Sequence, residues 1–159
     1  MYRNAIVATD GSEVAAAIFK HVREVLDPEG TVTVVEVIDD VAHVFARATP
    51  AGFEYGAAAF DSRLAESIVQ AQRDAAEQHL AAACESLESE GIKRVETALL
   101  SGLPGDVIVQ EVARRRADIV LMGTHGRSGL RRTVLGSVAD YVLRHLDSTP
   151  VLLVHAHEH

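Results

Sequence analysis

Two kinds of hydrophobic pattern alternate along the chain. Short apolar runs rich in β-branched residues, such as Ala5-Ile6-Val7-Ala8, are typical of buried strands. Between these runs, apolar residues recur every three or four positions, as at Val14, Ile18 and Val22, which is the spacing of a helix with one buried face. The strand pattern predicts five strands, over residues 2–9, 31–38, 94–100, 118–122 and 149–154.

The helical pattern predicts four helices, over residues 13–26, 60–90, 107–115 and 136–146. In the long second helix, the spacing favours burial of the apolar side chains Leu64, Ile68, Ala71, Ala75 and Ala82. Gly91 follows where a glycine commonly ends a helix. Residues 39–58 show no clean period and contain Pro50, so we expect a long, mobile crossover loop there, with room for a short helix. Loops of this length are usually functional lids or disordered segments.

Strands that alternate with helices predict an α/β fold with a parallel sheet, right-handed crossovers and helices on both faces. We expect a single open, twisted sheet of five parallel strands in the order 3-2-1-4-5. In such sheets, ligands bind beyond the carboxyl ends of the strands, at the point where the strand order reverses. The predicted crevice therefore lies between the ends of strands one and four, where Asp10 and Gly123 stand.

Length and composition indicate one globular domain. The chain has 159 residues, and its 48% hydrophobic and 24% charged content excludes a disordered or fibrous protein. No apolar run approaches the ~18 residues of a membrane span, and the N-terminus shows no signal-peptide pattern. Cys84 is the single cysteine, which excludes an internal disulfide and a multi-cysteine zinc site. We expect a cytoplasmic protein without membrane insertion, with one domain over residues 1–155 and a tail over residues 156–159.

The charge is negative overall but unevenly distributed. A formal net charge of -8 argues against nucleic-acid binding, which needs a basic surface. Residues 101–145 contain seven Arg and four Asp or Glu residues, so they carry +3 and leave -11 for the rest of the chain. An anion-binding site is therefore expected within residues 101–145.

The glycine-rich stretch from Gly123 to Ser137 is the most informative candidate for that site. Its glycines allow successive backbone N–H groups to turn toward an anion, and Gly136-Ser137 opens a helix whose positive end favours phosphate. The alternative is a plain strand–turn–helix connection. A P-loop is excluded because Leu130-Arg131 follows Gly129 instead of Lys and Ser or Thr. The dinucleotide-binding Gly-x-Gly-x-x-Gly pattern is also missing after the first strand.

Three motifs give the chain a resemblance to a known family. They are Ala8-Thr9-Asp10-Gly11-Ser12 after the first strand, Glu36-Val37-Ile38-Asp39 at the end of the second, and the glycine loop. The loop fits Gly-x2-Gly-x9-Gly-Ser/Thr with Gly123, Gly126, Gly136 and Ser137. Over essentially its whole length, the chain resembles the universal stress proteins, and within them the ATP-binding branch with its Rossmann-like fold.

The resemblance implies an ATP site, with Mg²⁺ carried by the phosphates. Asp10 would contact the nucleoside beside Ala8 and Thr9, and the backbone of Val37 would pair with the adenine edge. Met122 and Gly123 would border the base and the ribose. The residues implied around the phosphates are Gly126, Arg127, Gly136, Ser137 and Val138. This chain departs from some nucleotide-binding members, which have Pro in place of Ala8.

Several polar residues have more than one reading. Asp10 is suited to capping the first helix as well as to binding a nucleoside; we favour the nucleoside role, and assign the cap to Ser12. His125 fits a structural hydrogen bond as well as a phosphate contact. The alternating histidines of the C-terminal tail are chemically able to bind a divalent ion, but we predict a disordered tail and no metal site.

The expected activity is binding rather than catalysis. Apart from His125, no general base stands near the predicted phosphates, and no nucleophile has an orienting partner. We expect a nucleotide-responsive regulatory protein of stress physiology, in which ATP closes the 39–58 segment. The alternatives are a slow adenine-nucleotide hydrolase, an autophosphorylating protein and a nucleotide-independent interaction module.

The last strand predicts self-association. An apolar strand at the edge of a sheet is prone to pair with another chain unless it is covered, and a two-fold antiparallel pairing would cover it. The resemblance also implies homodimers of this kind. The residues concerned are Val151, Leu152, Leu153 and Val154.

Overall fold

Strands and helices alternate through the computed structural model, which describes residues 1–48, 62–124 and 135–155. The strands are β1 Tyr2–Thr9, β2 Leu26–Ile38, β3 Val95–Ser101, β4 Ile119–Gly123 and β5 Val151–Val154. The helices are α1 Glu13–Val25, α2 Val41–Ala48, α3 Ser62–Ser89, α4 Pro104–Arg115 and α5 Ser137–His145. The predicted tail, residues 156–159, lies outside the described residues.

The five strands form one parallel sheet in the order β3-β2-β1-β4-β5, which confirms the predicted topology. β1 is the central strand, and its Val7 stands opposite Val34 of β2 and Leu121 of β4. All three side chains are fully buried. Within the described part of the chain, no helix is both long and apolar enough to cross a membrane.

Alternate residues of each strand point to opposite faces of the sheet, and each face buries its own core. On one face, Val7 packs in a cluster with Ile18 of α1 and Leu80 of α3. On the other, Ile6 packs in a cluster with Ile108 of α4 and Val142 of α5. α1 and α3 therefore cover one face and α4 and α5 the other, as expected for a parallel sheet.

β2 begins earlier than predicted. The segment 27–30, which we expected to separate α1 from β2, lies within the strand as an irregularity. Tyr2 of β1 stands opposite Leu26 and Asn4 stands opposite Thr31, so the intervening β2 residues have no regular partners. The Asp27 carboxylate accepts the Glu29 N–H at 2.9 Å, which shows that the turn forms locally while the strand pairs on both sides of it.

The predicted buried stripe of α3 is wrong by about one position. Leu64, Ala71 and Ala82 are exposed and Ile68 and Ala75 are half-buried. An alanine-rich helix has little hydrophobic contrast around its circumference, so periodicity determines its rotation poorly. The buried residues are Ala65, Ala76, Leu80, Ala83 and Leu87.

The end of α3 is as predicted. Gly91 has φ +88°, and its N–H donates to the carbonyl of Glu88 at 2.9 Å. The Ile92 N–H donates to the carbonyl of Leu87 at 3.1 Å, which completes a Schellman cap. The side chains of Ile92 and Leu87 then meet in the same core cluster.

The first part of the predicted 39–58 loop forms the helix α2. The Asp40 carboxylate accepts the His43 N–H at 2.7 Å, and the Asp40 carbonyl accepts the Val44 N–H. These bonds make Asp40 the N-cap of α2. The rest of that predicted loop, from residue 49 onward, lies outside the described residues.

A buried carboxylate ties α4 to the sheet on the side away from the carboxyl strand ends. Glu111 is 4% exposed and accepts hydrogen bonds from Arg114 and Arg115. Arg115 also donates to the hydroxyl of Thr33, a fully buried residue of β2, at 3.1 Å. The hydrogen bonds from Arg114, and next those from Arg115, lower the pKa of Glu111 from 4.5 to about 2.

This pKa predicts acid sensitivity in a defined window. Because the folded pKa of Glu111 lies below its unfolded value, its contribution to stability is complete above pH 4.5 and is lost as the pH falls toward 2. The loss over that window is about 3 kcal/mol. Urea unfolding at a series of pH values measures it.

Glu111→Gln is the matched variant for this measurement. It lowers the free energy of unfolding at pH 7, and the remaining decrease between pH 4.5 and 2 becomes smaller than in the wild type because the titrating group is gone. Parallel stability curves for the two proteins would show that this carboxyl group does not dominate the acid response.

Candidate functional site

A cavity of about 240 Å³ lies at the carboxyl end of the sheet, between β1 and β4. This is the predicted crevice, because α1, which follows β1, and α5, which follows β4, lie on opposite faces of the sheet. Every predicted site residue that the structure describes lines it. These residues are Ala8, Thr9, Asp10, Val37, Met122, Gly123, Gly136, Ser137 and Val138. Gly126 and Arg127 lie outside the described residues, as do the other residues from 125 to 134.

Other lining residues were not predicted from the sequence. Most are small or aliphatic, so they carry no chemical signal of a site. Val35 could have been predicted, because it lies two residues before Val37 on the same face of β2. Pro104 and Ile108 lie one helical turn apart at the start of α4. They line the cavity because α4 packs beside the crevice, which their sequence spacing alone does not show. The full set is Ser12, Ala15, Ile18, Val35, Pro104, Ile108, Thr124 and Ala139.

One end of the cavity is an apolar slot. Val35 and Val37 of β2, Ile108 of α4 and Met122 of β4 contribute to it, and Ala8 of β1 lies between the strands. Val35, Ile108 and Met122 are each less than 5% exposed. Aliphatic walls of this kind suit the faces of a flat, apolar ring.

The backbone of β2 adds polar groups to the apolar slot. The last residue pair of the β1–β2 ladder is Thr9 with Glu36, so Val37 stands just beyond the end of β1. The Ile38 carbonyl accepts the Gly102 N–H at 3.0 Å on the β3 side. Because neighbouring peptides in a strand point to opposite sides, the N–H and C=O of Val37 point to the β1 side, where the cavity opens.

The other end of the cavity is formed by the start of α5. Gly136 is the N-cap residue, and its N–H donates to the carbonyl of Thr124 at 2.7 Å, which fixes the helix start against the end of β4. Thr124 is in turn held by Val154, whose carbonyl accepts the Thr124 N–H at 3.0 Å. The amide end of a helix carries partial positive charge and favours an anion. Ser137 adds a hydroxyl at this position.

The β1–α1 turn forms the rim of the cavity. The Asp10 carboxylate accepts the Ser12 N–H at 3.0 Å, and the Thr9 hydroxyl accepts the Gly11 N–H at 3.1 Å. Gly11 has φ +76°, a conformation that favours glycine. Asp10 is thus part of an Asx turn.

The predicted capping role of Ser12 is only half right. Ser12 occupies the N-cap position of α1, but its hydroxyl makes no cap hydrogen bond. The oxygen is buried and has no partner among the described residues. The Asx turn holds the Ser12 N–H, and the geometry it imposes leaves the hydroxyl away from the first-turn amides of α1.

A contact between α4 and α5 joins the first turn of α4 to the middle of α5. The Tyr141 hydroxyl donates to the Asp106 carboxylate, and this bond raises the pKa of Tyr141. Gly105 lies against the Tyr141 ring, where a Cβ atom would approach a ring carbon to 2.5 Å. On its own helix, the ring stacks on His145 with centroids 3.8 Å apart.

A second hollow of about 300 Å³ adjoins the first beyond Asp10, Val37 and Pro104. Its polar wall is an ordered group in which Asp39 accepts hydrogen bonds from Arg47 at 2.8 Å and from Gln72 at 3.3 Å. Nowhere in residues 1–48, 62–124 and 135–155 do three or more His, Cys, Asp or Glu side chains form a group suited to a metal ion. His155, from the start of the predicted tail histidines, pairs with the Thr124 hydroxyl at 3.0 Å.

Comparison with known proteins gives one consistent result. The sequence model of the universal stress protein family matches residues 1–155. Universal stress protein MJ0531 of Methanocaldococcus jannaschii is 29% identical over 155 residues, covering 97% of this chain and 82% of the relative. The solved structure of MJ0577 from the same organism has a TM-score of 0.79 at 24% identity, covering 100% of this chain and 99% of the other.

A universal stress protein family protein from Arabidopsis thaliana, solved with AMP bound, has a TM-score of 0.63 at 18% identity. The match covers 98% of this chain and 92% of the other. Both solved structures therefore share the fold described above.

The unpaired Ser12 hydroxyl generates a prediction about stability. Replacing a serine N-cap with alanine usually costs about 1 kcal/mol. Ser12→Ala is expected to cost nothing, or to stabilise the ligand-free protein slightly, because it removes a buried hydroxyl without breaking a hydrogen bond. Urea unfolding at pH 7 measures the change.

Asp40→Ala is the matched control, because the Asp40 carboxylate does cap α2. It is expected to lower the free energy of unfolding by about 1 kcal/mol. A similar loss in Ser12→Ala would show that the Ser12 hydroxyl caps α1 in solution.

Proposed function

The chain belongs to the universal stress protein family, and on that premise we propose that it binds an adenine nucleotide, ATP, in the crevice between β1 and β4. The observation that carries the proposal is that one cavity joins a buried aliphatic slot to the amide end of a helix. A nucleotide has the same two ends, a flat base and an anionic phosphate chain. The Arabidopsis protein solved with AMP supports the adenine class of ligand.

The adenine base occupies the slot between Val35, Ile108 and Met122 in this proposal. The Val37 peptide, which faces the crevice beyond the end of β1, supplies one N–H donor and one C=O acceptor to the base edge. Asp10 at the rim is placed to accept hydrogen bonds from the ribose hydroxyls. One N–H donor and one C=O acceptor in this order match the edge of adenine. They leave a base with the opposite order of donors and acceptors without hydrogen bonds, so adenine is preferred.

The phosphates lie at the start of α5 in this proposal. The first-turn amides of α5 and the Ser137 hydroxyl are the chain's own groups for phosphate oxygens. Mg²⁺ would be carried by the phosphates, and the Ser137 hydroxyl is an oxygen ligand of the type that Mg²⁺ accepts. The roles of Gly126 and Arg127 at the phosphates stay predictions.

We further propose that nucleotide binding serves regulation rather than efficient turnover. The groups described at the start of α5 are a glycine, a serine and helix amides, which stabilise an anion but do not take a proton from water. The site therefore favours a bound nucleotide that persists. Binding shifts the protein toward the conformation that holds the nucleotide best.

Calorimetric titration with ATP and Mg²⁺ tests the site. The wild type is expected to bind, and Gly136→Val is expected to lose at least about 10-fold in affinity, because a branched side chain at the start of α5 occupies phosphate space. Ala82→Val, which enlarges an exposed residue of α3, serves as the control and retains wild-type affinity.

The same samples are assayed for released phosphate. Release close to the uncatalysed background agrees with a binding role, and rapid release abolished by Gly136→Val would establish a nucleotide hydrolase instead. No heat of binding in the wild type at millimolar ATP would refute the nucleotide proposal and favour an interaction module.

The regulatory unit in this proposal is a homodimer paired through β5. β5 is the edge of the sheet next to β4, and three of its four residues are half-buried. Its inner peptide groups pair with β4, since the carbonyls of Pro150 and Val154 accept N–H groups from Val120 and Thr124. Because successive residues of a strand point their N–H and C=O groups to opposite sides, those of Val151 and Leu153 point away from β4, toward the open edge.

Sedimentation at micromolar concentration tests the dimer. The wild type is expected at twice the chain mass of 17.1 kDa. Leu153→Pro removes an outward N–H without removing a hydrogen bond to β4, so it is expected to give a folded monomer. Circular dichroism checks the fold. A monomeric wild type would refute the dimer, and a folded dimer of the variant would place the interface elsewhere.

A further inference from the structure

A hydrogen-bonded Glu–His pair lies behind the rim of the cavity. Glu36 belongs to β2 and stands between Val35 and Val37, which both line the cavity. Its carboxylate is 4% exposed and accepts the Nδ1 hydrogen of His79 from α3, at 3.0 Å to one oxygen and 3.2 Å to the other. The pair therefore joins the strand that forms the apolar slot to the long helix on the sheet face of α1.

The His79 ring also packs directly against the rim. A Cβ atom at Gly11 would lie 2.2 Å from Nδ1 and 2.3 Å from Cε1 of the ring. Only a glycine leaves room for this contact, and the φ of +76° at Gly11 independently favours glycine. The ring is thus held between a buried carboxylate and the backbone of the β1–α1 turn.

The turn that the ring supports carries three cavity residues, Thr9, Asp10 and Ser12. Two hydrogen bonds within the turn shape it. The β1–β2 ladder ends at the pair Thr9 with Glu36, so Asp10, Gly11 and Ser12 lie beyond the last paired residue of β1. The contact from His79 to Gly11, with the bond from His79 to Glu36, links the turn to β2. His79 itself does not line the cavity.

We propose that His79 is a positioning residue for the nucleotide site: it holds the β1–α1 turn in register with the apolar slot by packing on Gly11 and hydrogen bonding to Glu36. The base is held on the β2 side of the crevice and the ribose on the turn side, so a displaced turn weakens binding although no ligand contact has been removed. This effect on affinity rests on the proposed nucleotide function, whereas the effect on the turn does not.

Three variants of the full chain test the proposal. His79→Ala removes both the ring and the hydrogen bond. His79→Asn is the conservative variant, because its amide nitrogen takes the place of Nδ1 and keeps a donor for Glu36. Gln78→Ala changes the neighbouring, exposed position of α3 and controls for effects on the helix itself. Thermal unfolding checks that each variant is folded.

The first measurement is amide hydrogen exchange at Gly11 and Ser12 in the ligand-free protein. His79→Ala is expected to raise both exchange rates by about 10-fold, because the turn opens more often without its support. His79→Asn is expected to stay within about 3-fold of the wild type, and Gln78→Ala to be unchanged. Equal exchange in His79→Ala and the wild type would overturn the proposal, whatever the protein binds.

The second measurement is ATP affinity by calorimetry. His79→Ala is expected to bind about 10-fold more weakly, with most of the affinity restored in His79→Asn. A purely structural role would leave the affinity of the folded His79→Ala protein unchanged, and that result would overturn the proposal. If the wild type fails to bind ATP, the proposed function fails, and the exchange measurement alone decides the role of His79.

Discussion

The parallel pairing of β1 with both β2 and β4 is the constraint on which the structure depends. β1 is buried on both faces, and its two neighbours in the sheet, β2 and β4, come from opposite halves of the chain. α1, which follows β1, and α5, which follows β4, lie on opposite faces of the sheet, which leaves a gap at the carboxyl ends of these two strands. The cavity lies in that gap. It is therefore a consequence of strand order, and loop insertions alone would not remove it.

The two ends of the cavity come from different layers of the fold. The apolar slot is a continuation of the core on the α4 and α5 face, since Val35, Ile108 and Met122 belong to the same cluster as Ile6. The polar end depends on where α5 begins, and the Gly136–Thr124 hydrogen bond fixes this point against β4. The core and the site therefore share residues, so the packing of the core also shapes the slot.

The site residues could be predicted because each motif stands at the carboxyl end of a strand. Asp10 follows β1, Val37 is the last residue but one of β2, and Gly123 ends β4, so a parallel sheet in the order 3-2-1-4-5 brings them to one edge. Residues such as Ala15 and Ile108 could not be predicted in the same way. Their side chains are ordinary helix-core residues, and only the packing of α1 and α4 beside the crevice makes them part of its wall.

The sequence by itself determined the alternation of strands and helices, the topology and the motifs that meet at the crevice, because periodicity and glycine placement are local properties. Only the tertiary structure decided the rotation of α3, the unpaired state of the Ser12 hydroxyl and the contact of His79 with Gly11. These features join residues that are distant in sequence or depend on weak differences between helix faces. They become defined when the elements pack against one another, since the energy that selects them arises from contacts that the separate elements do not make.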